Sequence, residues 1–448
     1  MADDLKGKKM IFSELGVTGL RQYSGHVHEE FLKELQGKRA AETFQEMQSN
    51  DPIVGAIIFV IDLLLRGTEW VVNSVSDSPQ DKEAADFVES CMEDMSISWE
   101  DQISEILSFL PFGWSYHEVV YKRRLGPKQK DPRIRSRYKD GRVGWRKMPI
   151  RSQDSLWKWE FDSTGGIQGM WQVAPPDYIM RFIPIEKSLL FRTQVQKGNP
   201  EGRSILRNAY RPWYFKKQIE EIEGIGIERD LAGLPMAWVP PELLSPDADA
   251  ESKAVLEAIR KIVINVRRDE QEGIIFPLAY DENNNKMYDF SLLTSGGRRN
   301  FDTDAIISRY DQRIAMTSLA DFILLGHEAT GSFALSSSKT HMFAVAISAW
   351  QESIAGVFNR HAIPRLMDLN GFDLEEMPYL TTGEIQTPDL AEIGSYIQRL
   401  AGAGAPLFPD DELEGHLRRL AGMPVREHHR PRPLVEVEEP ELRPAGGG

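Results

Sequence analysis

The segment Phe301–Arg365 limits the possible folds of this 448-residue chain more than any other part of it. Its sequence predicts two long helices on either side of a loop, His327–Ser338, in which glycine, alanine, serine and threonine dominate. The loop has no residues in a catalytic arrangement. Two interpretations fit this pattern: a helical hairpin inside an ordinary core, or a loop that is held between rigid helices and moves past another molecule.

Apolar residues recur at three- and four-residue spacing in the first predicted helix, Asp302–Leu325, which has Asp302 or Thr303 as its N-cap. At about 1.5 Å per residue this helix is roughly 36 Å long, which is more than a small core needs. The second helix is predicted over Lys339–His361, and Pro364 is expected to end it.

Composition fits a soluble globular protein, because 41% of the residues are hydrophobic and 27% are charged. The net charge of −15 argues against a surface that clamps nucleic-acid phosphates throughout. The lone Cys91 excludes an internal disulfide and predicts a packed thiol in a protein assembled in the cytoplasm. The longest apolar run, Pro52–Leu65, is too short for a membrane span and contains Asp62, so no membrane partner is expected.

Local patterns predict an α+β fold, with short and mostly antiparallel strands in the first half of the chain. There, helices are predicted at 41–65, 80–95 and 99–110, and strands at 70–74, 114–121, 142–149, 156–161, 167–172 and 188–193. Within 41–65, Asn50-Asp51-Pro52 is expected to break the helix and to start a new one. A helix over 204–230 leads into a compact α/β insert, 233–300, which has a helix at 251–266 and strands at 234–239, 274–277 and 287–293. Two further helices are predicted at 387–400 and 410–421, before a tail that is rich in proline and acids.

One segment runs against the acidic balance of the chain. Lys122–Arg151 holds thirteen Lys and Arg residues and only two acids, Asp131 and Asp140. It is either a solvated loop or hairpin, or a contact with nucleic acid or an acidic partner. The candidate contacts at its start are Lys122, Arg123 and Arg124.

The chain has no motif with catalytic or metal-binding spacing. It lacks a phosphate-binding GxxxxGK[ST] loop, an HExxH helix and a GxSxG turn. His327-Glu328 has no nucleophile or second carboxylate beside it in a recognisable motif, and the neighbours His117 and Glu118 lie on a predicted strand and face opposite sides. No catalytic residue, cofactor or metal site is therefore predicted, and the protein is not expected to be an enzyme.

Four segments in a fixed order carry a family resemblance. They are Phe44–Val54 (FQEMQSNDPIV), Gly67–Val72 (GTEWVV), Phe112–Tyr121 (FGWSYHEVVY) and Pro200–Arg207 (PEGRSILR). Together with the later series of helix, insert, helix, loop and helix, this order resembles the portal proteins of tailed bacteriophages, in particular the branch that includes the Mu-like portals. The resemblance covers roughly residues 40–425.

The resemblance implies a portal-type fold. Its parts would be an N-terminal arm (1–40), an α+β wing (41–205), a first stem helix (206–232), a clip (233–300), a second stem helix (301–325), a tunnel loop (326–338), a wing or tunnel helix (339–379), crown helices (380–423) and a disordered tail (424–448).

The resemblance also implies a function. Portal proteins form closed rings, typically of twelve subunits, at one vertex of the capsid, and double-stranded DNA passes through the ring during packaging and ejection. The implied partners are the terminase, the head–tail adaptor, and the major capsid and scaffolding proteins. The protein would be assembled in the host cytoplasm and end in the virion. The competing classes are a metal-dependent, nuclease-like enzyme and a minor capsid component or head–tail adaptor without a channel.

In a portal, the small-residue loop would line the channel. The residues of this candidate site are His327, Glu328, Thr330, Gly331, Ser332, Phe333, Leu335, Ser336, Ser337 and Lys339. Phe333 and Leu335 either project into the channel or, as we favour, anchor the loop. Arg298 and Arg299, after Gly296-Gly297, form either a solvated turn or a phosphate contact between clip and stem. Twelve copies would carry about −180 formal charges, so the channel wall would hold DNA weakly.

Overall fold

The structure, a computed structural model, describes residues 16–232, 234–266, 280, 288–293, 302–317, 333–373, 375–383, 397–399, 414 and 418. The chain divides into two units, Met1–Gly383 and Glu384–Gly448. The predicted strand at 274–277, residues 318–332 of the predicted helix and loop, and the predicted tail from residue 424 lie outside the described residues.

Helices and strands alternate through the first unit, which confirms the predicted α+β class. The helices are α1 (Gly37–Asn50), α2 (Pro52–Arg66), α3 (Pro79–Glu93), α4 (Trp99–Leu107), α5 (Phe109–Phe112), α6 (Tyr210–Ala232), α7 (Ala250–Val266), α8 (Thr303–Thr317), α9 (Phe333–Val357) and α10 (Ile363–Asn370). Short 3-10 turns lie at Lys33–Leu35, Pro132–Ile134, Gln153–Ser155, Ile185–Lys187, Ile205–Arg207 and Pro241–Leu244.

The strands are β1 (Gln22–Tyr23), β2 (His26–Val27), β3 (Trp70–Asn73), β4 (Trp114–Glu118), β5 (Val120–Arg123), β6 (Val143–Lys147), β7 (Ile150–Arg151), β8 (Leu156–Phe161), β9 (Ile167–Val173), β10 (Met180–Pro184), β11 (Ser188–Arg192), β12 (Leu234–Trp238), β13 (Asp289–Leu293) and β14 (Tyr379–Thr382). All their pairings are antiparallel: β1 with β2, β8–β9–β10, β11–β4–β7, β12 with β13, β14 with β3, and β5 with β6.

The Asn50-Asp51-Pro52 sequence breaks the first helical run as predicted. Asp51 caps α2, because its Oδ1 accepts the N–H groups of Ile53 at 2.9 Å and Val54 at 3.0 Å. Pro52 fits the first turn, where no backbone donor is needed. No single helix in the described residues is long and apolar enough to cross a membrane; α1 and α2 pass that test only as a pair, and they are bent by 93°.

An aromatic core joins the β8–β9–β10 sheet to the β11–β4–β7 sheet. Trp114 and Tyr116 of β4 pack against Trp159 of β8, with ring centroids 5.0 and 5.8 Å apart, and Met170 and Ile183 complete the cluster. The buried Tyr116 hydroxyl donates to the Ile183 carbonyl at 2.9 Å, so its polar end is satisfied. The structure divides the predicted strand 114–121 into β4 and β5, and the first four residues of β4 are all buried.

The first helix of the opening segment begins as predicted, and the second differs in extent. Asp302 is the N-cap of α8, since its Oδ1 accepts the Ala305 N–H at 3.1 Å. Helix α9 starts at Phe333, whereas Lys339 was predicted as its start. Phe333–Ser338 are thus helical backbone and not loop, because serine and alanine in the first turns of a helix are compatible with helix formation.

Pro364 does not end the second helix, contrary to the prediction. A π-helical turn, Phe358–Ala362, follows α9, and α10 continues the helical path until Gly371 at φ 69°. The Ile363 N–H donates to the Phe358 carbonyl, five residues back. Pro364 then falls in the first turn of α10, where its missing N–H costs nothing.

Strand β14 was not predicted, and it corrects a boundary. It pairs with β3, with Tyr379 opposite Asn73 and Thr382 opposite Trp70. Residues 380–382 therefore belong to the first unit and not to the helical part that was predicted to start at 380. In the second unit, residues 397–399, Glu414 and Arg418 are helical, within the ranges predicted as helix.

Candidate functional site

The predicted channel residues fall into two groups in the structure. His327, Glu328, Thr330, Gly331 and Ser332 lie outside the described residues. The remaining members are placed in the first two turns of α9: Phe333, Leu335, Ser336, Ser337 and Lys339. The structure thus locates this half of the predicted site at the N-terminus of a 25-residue helix.

Two of the predicted contact cations are buried inside the protein, so the prediction of an exposed contact was wrong for both. Lys122 lies 3.0 Å from Asp94 Oδ2 and donates to the Arg135 carbonyl at 2.9 Å. Arg124 lies 2.9 Å from Asp140, and its guanidinium stacks 4.0 Å from the ring centre of Tyr138. Burying a cation is costly unless it is paired in this way, and the acids that pair them hold both side chains inside.

The outer cations of the same segment stay exposed. Arg123 is exposed at the end of β5, and Arg298 and Arg299 lie outside the described residues. The exposed cations of 122–151 that form no ion pair with a described residue are Arg123, Lys128, Lys130, Arg135, Arg137 and Lys139. Any external contact of this segment therefore depends on its loop and not on Lys122 or Arg124.

Two of the four resemblance segments meet backbone to backbone. Gly113 has φ 90° and Gly202 has φ 55°. A Cβ atom on Gly202 would lie 2.2 Å from the Gly113 carbonyl oxygen, and one on Gly113 would lie 2.6 Å from the Glu201 carbonyl oxygen. Only glycine fits such an approach together with these backbone angles. The Thr193 N–H also donates to the Gly113 carbonyl, at 3.1 Å, which ties β11 to the same point.

A polar cavity of about 300 Å³ lies beside this glycine contact, between residues 27–37, α1 and the loop 194–207. Glu201 lines the cavity, and its Oε1 accepts the Trp159 indole N–H at 3.2 Å. Burial raises the pKa of Glu201 to about 7, although the hydrogen bond from Trp159 acts in the opposite direction. Arg207 does not neutralise it, because its guanidinium pairs with Glu30 on the far wall, at 2.9 Å.

A buried lysine joins the first resemblance segment to two long helices. Lys216 of α6 is 2% exposed, and its Nζ lies 3.0 Å from Asp51 Oδ2 and 2.6 Å from Asp311 Oδ1. Asp51 thus caps α2 with one oxygen and binds Lys216 with the other. Burial alone would lower the pKa of Lys216, but the hydrogen bonds with Asp311 and Asp51 outweigh it and raise the pKa.

Helices α6 and α8 form an antiparallel hairpin around this lysine. Thr303 at the start of α8 donates a hydrogen bond to Glu223 in the second half of α6, while Asp311 meets Lys216 in the first half. Sequence patterns did not indicate Lys216, because its partners are far away in the sequence. Asp51 was recognised only as a helix start.

His117 and Glu118 do not form an acid–base pair, and His327-Glu328 lies outside the described residues. His117 is fully buried, and its Nδ1 lies 2.9 Å from the Met148 carbonyl; burial lowers its pKa to about 4. Glu118 faces the other side, where Arg151 and Lys187 pair with it. In the described residues no three His, Cys, Asp or Glu side chains converge on a common metal position.

The chain is similar to known proteins along most of its length. The family model of the portal protein of Mu bacteriophage matches residues 41–418. Similar solved structures are the neck of an empty gene transfer agent (GTA) particle computed with C6 symmetry, with 12% identity and a TM-score of 0.49, and the virion of a native GTA particle, with 12% identity and a TM-score of 0.48. A third is the neck of a native GTA particle computed with C12 symmetry, with 11% identity and a TM-score of 0.49.

Each of these three likenesses covers 86% of this chain and 94% of the other chain. The family match carries the assignment, because it spans the α+β body, both long helices of the hairpin and the helix after them. All four segments that carried the sequence resemblance lie within the matched residues, and so do the glycine contact and the Asp51–Lys216 pair. The chain belongs to the family of the portal protein of Mu bacteriophage.

Proposed function

We propose that copies of this chain form a closed ring, typically of twelve subunits, through which double-stranded DNA enters and leaves a capsid. The family match over residues 41–418 is the observation that carries this proposal. A closed cyclic ring joins two different faces of each subunit. The ring would stand at one capsid vertex of the virion after assembly in the host cytoplasm, and its role is structural, with no catalytic step.

The hairpin of α6 and α8 supports the assignment of a stem. Its two helices are joined to each other and to the start of α2 by ion pairs between one buried lysine and two carboxylates. A mechanical force on the hairpin is therefore transmitted to the rest of the first unit through these ion pairs and not through a loop. We assign 41–205 to the wing, 233–300 to the clip, and residues from about 384 to 423 to the crown. The DNA-facing part would be 326–338, with its second half on the first turns of α9.

The acidic balance of the chain supports weak contact with DNA. The net charge of −15 recurs in every copy, and phosphate binding comes from Lys and Arg. Lys122 and Arg124 form ion pairs with Asp94 and Asp140 inside the protein, so these two cations do not contribute to phosphate binding. A wall of this kind favours sliding of the duplex over binding to it.

The remaining partners follow from the role. The clip would meet the terminase during packaging and the head–tail adaptor afterwards, and the wing would meet the major capsid and scaffolding proteins. The exposed loop with Arg123 and Lys128 is the part of the wing whose charge suits an acidic capsid or scaffold surface.

Particle assembly with and without this chain tests the proposal. Capsids made in its presence should protect genome-length DNA from added nuclease, and capsids made without it should be empty. Nuclease-protected DNA in equal amounts in both preparations would contradict a channel role. Metal-dependent cleavage of DNA by the purified chain would instead support the nuclease-like alternative.

A further inference from the structure

Helix α6 is apolar on two opposite faces, and only one of them has a partner in the described structure. Trp213 and Lys216 are buried on the inner face, where Lys216 pairs with Asp51 at the start of α2 and with Asp311 of α8. The opposite face exposes large apolar side chains within an arc of about 100°, given 3.6 residues per turn. These residues are Tyr214 (42% exposed), Phe215 (39%), Ile222 (69%) and Ile225 (48%). Large apolar side chains that are exposed together on one helix face are typical of an interaction surface.

The outer face of α8 differs in chemistry from the outer face of α6. Ile314 and Asp311 turn towards the interior of the hairpin, and Ala305, Arg309 and Met316 lie on the far side. Arg309 and Arg313 are exposed, and neither forms an ion pair with a residue that the structure describes. Their guanidinium carbons lie 5.4 and 5.9 Å from the centre of the Tyr310 ring.

The contacts within the hairpin set which residues stand at the same height along it. Lys216 is level with Asp311, and Glu223 is level with Thr303. Because the helices are antiparallel, counting in opposite directions from these pairs puts Ile222 level with Ala305 and Tyr214 level with Arg313. In the same register Glu221 is level with Ile306, which is three residues or about 4.5 Å from the level of Arg309, and the length of both side chains spans this distance.

In a ring, rotational symmetry places the same residue of every subunit at the same height along the ring axis. A rotation about an axis leaves each atom at its own height along that axis, so a hairpin that runs along the ring axis meets its neighbour in the same register. The outer faces of α6 and α8 point in opposite directions, which is the arrangement that a head-to-tail contact requires. Tyr214 then faces a guanidinium, Glu221 faces a cation, and the bulky Ile222 faces a small alanine.

We propose that the outer face of α6 packs against the outer face of α8 of a second copy of this chain, with Ile222 on the partner subunit's Ala305 and Tyr214 on the partner subunit's Arg313. The proposal rests on the proposed ring. It assigns the exposed apolar side of α6 to an intersubunit interface held by apolar contact, a cation–π contact and the Glu221–Arg309 pair.

Disulfide cross-linking of the full chain tests this register. Ile222→Cys and Ala305→Cys are combined in one chain, where they lie on opposite sides of the hairpin and cannot reach each other. The natural Cys91 is buried and does not contribute. A disulfide needs Cα atoms within about 7 Å, so only an intermolecular contact in the proposed register produces a bond.

The expected result is a ladder of covalent multimers on a non-reducing gel. The matched control combines Ile222→Cys with Met316→Cys, which is exposed on the same face of α8 but eleven residues or about 16 Å out of register, and it should stay monomeric. Each single cysteine variant should also stay monomeric, because the two faces differ. A second arm measures ring yield, which Glu221→Arg should reduce and the double variant Glu221→Arg with Arg309→Glu should restore.

The outcomes separate the interface from the function. Rings of normal mass without a ladder, or an equal ladder from the control pair, would overturn the proposed interface and leave the ring intact. A dimer band from a single cysteine variant would also overturn it, since that requires a face-to-itself contact. If the unmodified chain forms no ring at all, the proposed function fails and the interface fails with it.

Discussion

The buried Lys216 gives the sharpest stability prediction for this protein. Replacement by methionine keeps most of the side-chain volume and removes the charge. Asp51 and Asp311 then lose their cation while they stay in place. Breaking a buried ion pair costs about 3–5 kcal/mol, because the remaining charge is uncompensated. Asp51 keeps its two backbone donors, so we expect a loss near the lower end, about 3 kcal/mol.

Amide hydrogen exchange across α6 and α8 of the full chain measures this loss locally. A loss of about 3 kcal/mol corresponds to exchange that is on the order of 100-fold faster. The control is Lys217→Met, one residue further on, where the ammonium group pairs with Glu46 and both side chains are about 40% exposed. Exposed pairs contribute at most about 1 kcal/mol, so exchange in the control should rise less than about fivefold.

Two results would refute this reasoning. Exchange in Lys216→Met that is no faster than in Lys217→Met would mean that the buried network does not hold the hairpin. A double variant, Lys216→Met with Asp311→Leu, should regain part of the loss, because an apolar pair can replace a buried ion pair at little cost. Simple addition of the two single losses would show that Lys216 and Asp311 do not act together.

Three further predictions concern the glycine contact, the buried acid and the predicted loop. Gly202→Ala should lower the free energy of unfolding by more than about 1 kcal/mol in thermal or urea denaturation, because Gly202 has a positive φ and a new Cβ would lie 2.2 Å from Gly113. The control is Gly224→Ala, which should be neutral or stabilising, because nothing lies within 4 Å of the new Cβ there. The raised pKa of Glu201, about 7, means that the folded state holds its proton more tightly than the unfolded state does, so its contribution to stability falls as pH rises from about 4.5 to 7. The free energy of unfolding of Glu201→Gln, relative to that of the unmodified protein, should therefore rise by about 2–3 kcal/mol as the pH increases from 5 to 8. A difference between the two proteins that does not change with pH would contradict the buried acid. Ser332→Trp should leave the ring mass unchanged and reduce nuclease-protected DNA in particles; loss of folding by circular dichroism would place that residue in a core instead.

Local sequence patterns were enough for elements that carry their own signal. Leu156–Phe161 was predicted as a short strand between turns, and β8 has the same bounds in the structure. Asp51 and Pro52 likewise predicted the start of α2, since both the cap and the proline act within one turn. These signals need no knowledge of the distant parts of the chain.

Elements that depend on distant partners were missed or misplaced. Strand β14 is four residues long and is held by β3, about 300 residues earlier, so its own sequence carries little information. Pro364 was expected to stop a helix, but the π-helical turn before it removes the need for its missing donor. The Phe358 ring in that turn packs against Trp99 and Phe191, which are distant in the sequence.

The same limit applied to the functional residues. Lys122 and Arg124 were judged from the density of positive charge around them, but the acid that buries Lys122 is Asp94, from outside that segment. Lys216 reads in the sequence as one of two adjacent solvent-facing lysines, and only the meeting of α2, α6 and α8 distinguishes it from Lys217. The order of the four resemblance segments nevertheless led to the family that the match over residues 41–418 establishes.

Native mass spectrometry of the protein taken from assembled particles tests the central claim most directly. A twelve-subunit ring of this 50.9 kDa chain would have a mass of about 0.6 MDa, and electron microscopy of the same sample should show a central channel. That result is the one we predict. Monomers or dimers alone, or a ring-sized assembly without a central opening, would contradict it.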